Sequence, residues 1–202
     1  PAATKVRGSM QTHAPASQTA TRRPLYVDVL LALAIGLVAA LAKRHLDFSL
    51  GIPGHAGVGW IAVLVLGRII NPRRGMAVVA GASMGLWGIP VGLGHTVAYD
   101  TLLYGVSAGL LDMPLVTRLP LRRPWGAAAA GIIVHLGKYA FVFDNAWVSG
   151  IIRRVVVFGL AAALGNHILF GALGGLLGWA LWWGGNAFAR RLRPSQRPLG
   201  TA

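Results

Sequence analysis

Six stretches of the chain are almost free of charge, and short polar or basic segments divide them. The apolar runs cover about 25–42, 56–70, 75–94, 99–117, 125–143 and 155–187. Each approaches the roughly 20 residues that an α-helix needs to cross bilayer hydrocarbon. The second is short and the sixth is long; a long run fits by tilting or by bending at its glycines. The pattern predicts an all-α polytopic membrane protein with six transmembrane helices. Residues 1–23 are polar, lack an apolar face to bury, and are expected to form a disordered cytoplasmic tail. Residues 24–190 are expected to form the six-helix membrane domain, and 191–202 a second, basic cytoplasmic tail. Arg22-Arg23 before an apolar run resembles the start of a signal peptide, but no small-residue cleavage region follows, so the run is expected to be retained.

Charge orients this arrangement. The chain has 19 Lys and Arg against 5 acidic residues, all of them Asp, for a net charge of +14. Fourteen of the 19 basic residues fall in the N-terminal tail, between runs two and three (counting Arg68 at the end of run two), between runs four and five, and after run six. The positive-inside rule then places both termini on the cytoplasmic side of a bacterial-type inner membrane. Because the arginines sit in short clusters between apolar runs, the basic balance does not point to nucleic acid. A hydrophobic content of 55% and a mean hydropathy of +0.61 agree with the membrane class. The absence of cysteine excludes disulfides, thiolate metal sites and cysteine nucleophiles.

Small residues suit close helix packing in lipid: Ala32, Gly36 and Ala40 line one face of the first run, and Gly171, Gly174, Gly175 and Gly178 do so in the sixth. Trp179, Trp182 and Trp183 fall near the inner end of that last run, where an interfacial belt belongs.

The polar groups within the apolar runs gather toward the outer half. Gly51, Pro53, Gly54 and Gly57 break the helix before run two, which predicts a structured first external loop over 43–59. Asp100, Tyr104 and Ser107 share one helical face, as do His135, Lys138 and Tyr139. Asn166 and His167 lie midway along run six. Ionisable groups in a membrane are costly and face a bundle interior or cavity, so a functional site is the first hypothesis. Each has a bland alternative. His55 caps run two or meets a ligand; Lys138 reaches the outer interface or pairs with Asp100 or Asp144; Asn166 and His167 bond between helices or bind ligand. Asp28 and Asp112, near the inner ends of their runs, are expected to pair with Arg22, Arg23 or Arg118 as structural or docking contacts.

Several chemistries are set aside. Gly105-Val106-Ser107-Ala108-Gly109 matches G-x-S-x-G, but a nucleophile elbow needs a strand-to-helix turn, and no strand is expected. An intramembrane serine protease of the rhomboid kind, with Ser107 and His167, lacks the Trp-Arg pair in the first loop. It also lacks a polar group in run two to hold an oxyanion, since that run reads apolar throughout. No two histidines lie at i, i+3 or i+4, so no metal is expected. No phosphate-binding G-x-x-x-x-G-K-[ST] loop occurs, so the chain does not energise pumping itself. No cofactor and no catalytic residue are expected.

With the six runs placed, the chain resembles the substrate-binding (S) component of energy-coupling-factor transporters. The stretches that carry the resemblance are Gly51-Ile-Pro-Gly-His55, Tyr104-Gly-Val-Ser-Ala-Gly109-Leu-Leu-Asp112, His135-Leu-Gly-Lys138-Tyr139 and His167-x-x-Phe170-Gly171, within about 25–190. The resemblance implies six helices, both ends inside, a first external loop that lids a vitamin-like ligand, and a pocket from runs four to six. His55, Asp100, Tyr104, His135, Lys138, Tyr139, Asn166 and His167 would then contact the ligand. Ala32-x-x-x-Gly36-x-x-x-Ala40, an approximate Ala-x-x-x-Ala signature, would face a transmembrane coupling subunit that works with separate ATPase subunits. Metal-specific members carry a histidine at the extreme N-terminus, and the polar tail here disfavours cobalt or nickel. The alternative is a structural or assembly subunit of a larger respiratory or photosynthetic membrane complex that reuses the fold, with its basic face on anionic lipid or an acidic subunit.

Overall fold

A computed structural model describes residues 23–46, 54–93, 96–148 and 155–192. Most of both tails, the 47–53 part of the expected lid, and the side chains of Asp144, Arg153 and Arg154 lie outside the described residues. Among the described residues there are seven α-helices and no strand: α1 (Leu25–His45), α2 (Gly57–Ile70), α3 (Met76–Gly88), α4 (Val97–Gly109), α5 (Pro114–Thr117), α6 (Pro124–Val148) and α7 (Val155–Leu192). The all-α expectation is met.

The fourth run differs from expectation. A continuous helix was predicted over 99–117, yet α4 stops at Gly109, a 3-10 turn spans Leu110–Asp112, and the one-turn α5 follows. Pro114 is the reason. It restricts the residue before it to extended backbone, and Met113 has ψ 145°, while Pro114 itself takes the first helical position of α5. The third run ends early for a related reason: α3 stops at Gly88, Pro90 and Gly92 follow it, and Gly92 has a positive φ of 75°.

The six longer helices close a ring in the order α1, α2, α7, α6, α4, α3. Three hairpins of chain neighbours (α1 with α2, α3 with α4, α6 with α7) are joined side to side. Helix α2 also touches α3 and α6 across the ring, and ten of its fourteen residues are buried. Trp60, Ile61, Leu64 and Val65 of α2 therefore form the centre of the apolar core.

Glycines let these backbones approach. A Cβ on Gly81 would stand 2.6 Å from the Cβ of Ala108, so α3 and α4 would have to part. A Cβ on Gly174 would stand 2.9 Å from Ile61 and drive α7 off α2. The small-residue face of α1 is used in the same way. Ala32, Gly36 and Ala40 are buried, and a Cβ on Gly36 would lie 2.5 Å from the Cβ of Ser83 on α3. Ser83 Oγ adds a bond of 2.9 Å to the Leu33 carbonyl across this seam. The stripe expected to dock a coupling subunit thus packs within the chain, and the side of α1 left exposed carries Leu30, Leu33, Val38 and Leu41.

One end of the ring is basic and tightly bonded. Arg68, buried on α2, lies 3.5 Å from Asp112 and donates to the carbonyls of Leu111, Asn71 and Arg73 at 3.2–3.3 Å. The other oxygen of Asp112 accepts from the backbone N–H groups of Ala77 and Val78. It satisfies the α3 start, where Gly75 supplies no capping side chain. Arg73 pairs with Asp28 at 3.1 Å, and Asn71 donates to the Asp28 carbonyl at 2.8 Å. Among the described residues the partners of the two aspartates are Arg68 and Arg73, in place of the expected Arg23 or Arg118; Arg22 lies outside the described residues.

Two described helices are long and apolar enough to cross a membrane, α1 and the Gly159–Leu192 part of α7; α2 and α3 are shorter apolar helices. At 1.5 Å per residue, α2, α3 and α4 each rise only about 20 Å, against a hydrocarbon core of about 30 Å. Helix length does not by itself establish six spans.

Candidate functional site

A polar and aromatic cluster lies inside the ring, toward the end opposite the bonded arginines. Helix α6 contributes His135, Lys138 and Tyr139 from one face, because the spacings i, i+3 and i+4 stack on a helix. Helix α4 contributes Tyr104; Asp100 and Ser107 share its face by the same periodicity, and all three are buried. Helix α7 adds His167, and α2 adds Trp60.

Trp60 is the hub. Its ring lies edge-on to Tyr104 at 5.4 Å and to His135 at 6.2 Å, and the Lys138 ammonium stands 5.9 Å from its centroid. His135 and His167 sit 4.4 Å apart between ring centroids, and Tyr139 lies 5.1 Å from His167. The turn entering α2 presses on both histidines. A Cβ on Gly57 would stand 2.5 Å from the His135 ring, and one on Gly54, at φ 91°, would stand 3.3 Å from His167 Nδ1. Glycine at 54 and 57 thus does more than break a helix.

Hydrogen bonds orient the rings. His135 Nδ1 lies 3.0 Å from the His167 carbonyl, and His167 Nδ1 lies 2.7 Å from the Ala163 carbonyl. A carbonyl oxygen only accepts, so each Nδ1 carries the proton and each Nε2 presents a lone pair. Tyr139 donates to the Leu160 carbonyl at 3.0 Å. By contrast, His135 Nε2, Trp60 Nε1 and Ser107 Oγ are buried with no hydrogen-bond partner in the protein. They provide an acceptor, a donor and a hydroxyl able to act as either. A buried polar group left unpaired costs about 1–3 kcal/mol, and such groups are uncommon in native interiors.

Of the eight residues expected to meet a ligand, Tyr104, His135, Lys138, Tyr139 and His167 belong to the cluster. His55 is half-buried beside it, 6.4 Å from Phe170 in an edge-on contact. Asp100 is buried next to Gly88 on the α3 side, and Asn166 is half-buried, turned about 100° around α7 from His167. Sequence reasoning missed Trp60, because run two reads as uniformly apolar; its indole N–H, three residues after Gly57, was the available signal. Ser107 belongs with the unpaired groups, and His167 Nδ1 is turned to Ala163. Among the described residues no group of three potential metal ligands converges.

Two surface cavities, of about 460 and 690 Å³, lie at the other, basic end and meet at Ile69, Pro72 and Arg122. Comparison with protein-family models, with curated proteins and with solved structures finds no match to the chain. The functional reading therefore stands on the geometry.

Proposed function

We propose that the chain is a non-catalytic, membrane-embedded subunit that binds a small polar molecule for uptake, with six helices in the bilayer and both ends on the cytoplasmic side. The carrying observation is the pair of unpaired buried atoms Trp60 Nε1 and His135 Nε2, on two helices whose rings meet edge-on at 6.2 Å with the Lys138 ammonium 5.9 Å from the indole. Small-molecule sites are built in this way, from a few convergent polar groups in an aromatic and apolar wall. Lys138 suits a ligand with an anionic group, and His135 Nε2 suits one that also donates a hydrogen bond.

The membrane part of the reading is supported by an inverted distribution of polarity. Leu30 and Val38 on α1, Leu86 and Trp87 on α3, Leu102 and Val106 on α4, and Leu169 and Leu181 on α7 are exposed, whereas His135, Ser107 and Asp100 are buried. Contiguous apolar surface on this scale calls for lipid or other protein around it. The shorter helices fit a bilayer by local thinning around the ring. Transport energy would come from separate ATPase subunits through a coupling subunit.

The second reading, an assembly subunit of a larger membrane complex, draws on the close mutual packing of the cluster around Trp60. Native mass spectrometry of protein purified from its own membrane separates the two. The uptake reading expects a retained small molecule whose occupancy falls in Lys138→Ala and Trp60→Phe, and ATPase subunits among the copurifying chains. Empty protein that copurifies instead with a redox or pigment complex sinks it.

A further inference from the structure

The basic end holds a feature that the uptake reading does not use. Helix α1 begins there, α2 ends there, and the turns before α3 and α6 fold over both. The larger cavity is lined by Arg23, Arg73 and Arg122 with Asp28, Asn71 and apolar Leu25, Ile69 and Ile70. Arg74 and Arg122 reach the adjoining one. Asp28, the single carboxylate on these walls, is already held by Arg73 at 3.1 Å, so the cationic surplus is large.

Arg122 is set in place without an acid. Trp179 Nε1 donates to its backbone carbonyl at 3.0 Å, and its guanidinium lies over the Trp182 ring at 5.7 Å. Trp183 stacks on Trp179, and Trp125 and Trp183 are exposed beside them. Four of the chain's seven tryptophans thus ring this end, as they do at a lipid headgroup boundary. Leu25 and Ile70 are exposed at the cavity rim, so the site is cationic within and apolar at its lip. A guanidinium matches the paired oxygens of a phosphate, and an apolar lip suits an acyl chain.

We propose that this cavity binds the phosphate of an anionic phospholipid, seated between Arg23, Arg73 and Arg122. The inference rests on the membrane reading. Full-length protein in a neutral detergent is titrated with phosphatidylglycerol, phosphatidylcholine and inorganic phosphate, and bound species are counted by native mass spectrometry. Phosphatidylglycerol is expected to bind at least about tenfold more tightly than phosphatidylcholine. That preference should be lost in the double variant Arg23→Gln/Arg122→Gln and kept in Arg190→Gln/Arg191→Gln, which removes the same charge outside the cavity. Equal loss in both variants means diffuse charge and overturns the site. So does displacement of phosphatidylglycerol by equimolar inorganic phosphate, which means a free-anion site. Matching melting temperatures for the two variants guard against misfolding. Protein that stays monodisperse without detergent refutes the membrane reading; protein that needs detergent but shows no lipid preference refutes this inference alone.

Discussion

The two ends of the ring treat buried polarity differently. At the basic end, Arg68, Asp112, Asp28, Arg73 and Asn71 bond to each other and to the carbonyls and N–H groups that helix ends leave open, although Asn71 Oδ1 has no hydrogen bond and Asp112 Oδ1 is held only by its ion pair. In the opposite half, Trp60, Ser107 and His135 each leave a polar atom unpaired although all three are fully buried. A paired network in the interior holds elements in register. Unpaired groups do nothing for the fold, and their hydrogen-bonding capacity is available to something else. Burial alone does not separate a structural polar group from a binding one.

That contrast can be broken by substitution. The largest effect is expected for Asp112→Ala, which strands the buried Arg68 charge and frees two N–H groups at the start of α3. A loss of about 3–5 kcal/mol is expected from removing one partner of a buried pair, read as a drop in melting temperature in detergent. Next comes Asn71→Ala, which removes the 2.8 Å bond to the Asp28 carbonyl; a loss of about 1–1.5 kcal/mol is expected in the same assay. Tyr139→Phe deletes the bond to the Leu160 carbonyl and should cost about 0.5–1 kcal/mol while also weakening retention of a small molecule. The smallest stability effect belongs to Ser107→Ala, within about 0.5 kcal/mol of wild type or slightly stabilising, since it deletes an unsatisfied atom and almost no volume. Were Ser107→Ala to destabilise as much as Asp112→Ala, the two regions would be alike and the binding assignment would fail. Proteolytic activity that disappears with Ser107→Ala would restore the intramembrane protease set aside above.

Much of the helical layout could be read from the chain, because long uncharged runs have few alternatives. The starts of α1, α2, α3 and α6 fall within a residue of the predicted runs, and α7 begins where its run does. The break after Gly109 was missed because apolar content outweighed Pro114 in the reading, although the ring of Pro114 dictates it. Number of membrane crossings is a different matter: composition reports a preference for apolar surroundings, while the short rise of α2, α3 and α4 depends on where turns cut the runs. In the site, periodicity placed His135, Lys138 and Tyr139 together, since neighbours on one helix are fixed by geometry. It left open which aspartate meets which arginine. Arg68–Asp112 and Arg73–Asp28 join chain segments that only the ring order brings side by side. Trp60 escaped for the reverse reason, because hydropathy counts an indole as apolar and ignores its N–H.

The ring order also bears on how the molecule is made. Chain growth is vectorial, and domains assemble as their parts emerge. Helix α2 emerges second but acquires its neighbour α7 last, through Gly174 on Ile61 and Gly178 on the Ala62 backbone. Until then the ring is an open crescent with Ile61 and Ala62 of α2 facing the gap, and His135 lacks the His167 carbonyl that sets its proton. Contacts this distant along a chain form slowly. A ribosome stalled before α7 would therefore display an unclosed cleft with His135 at its edge.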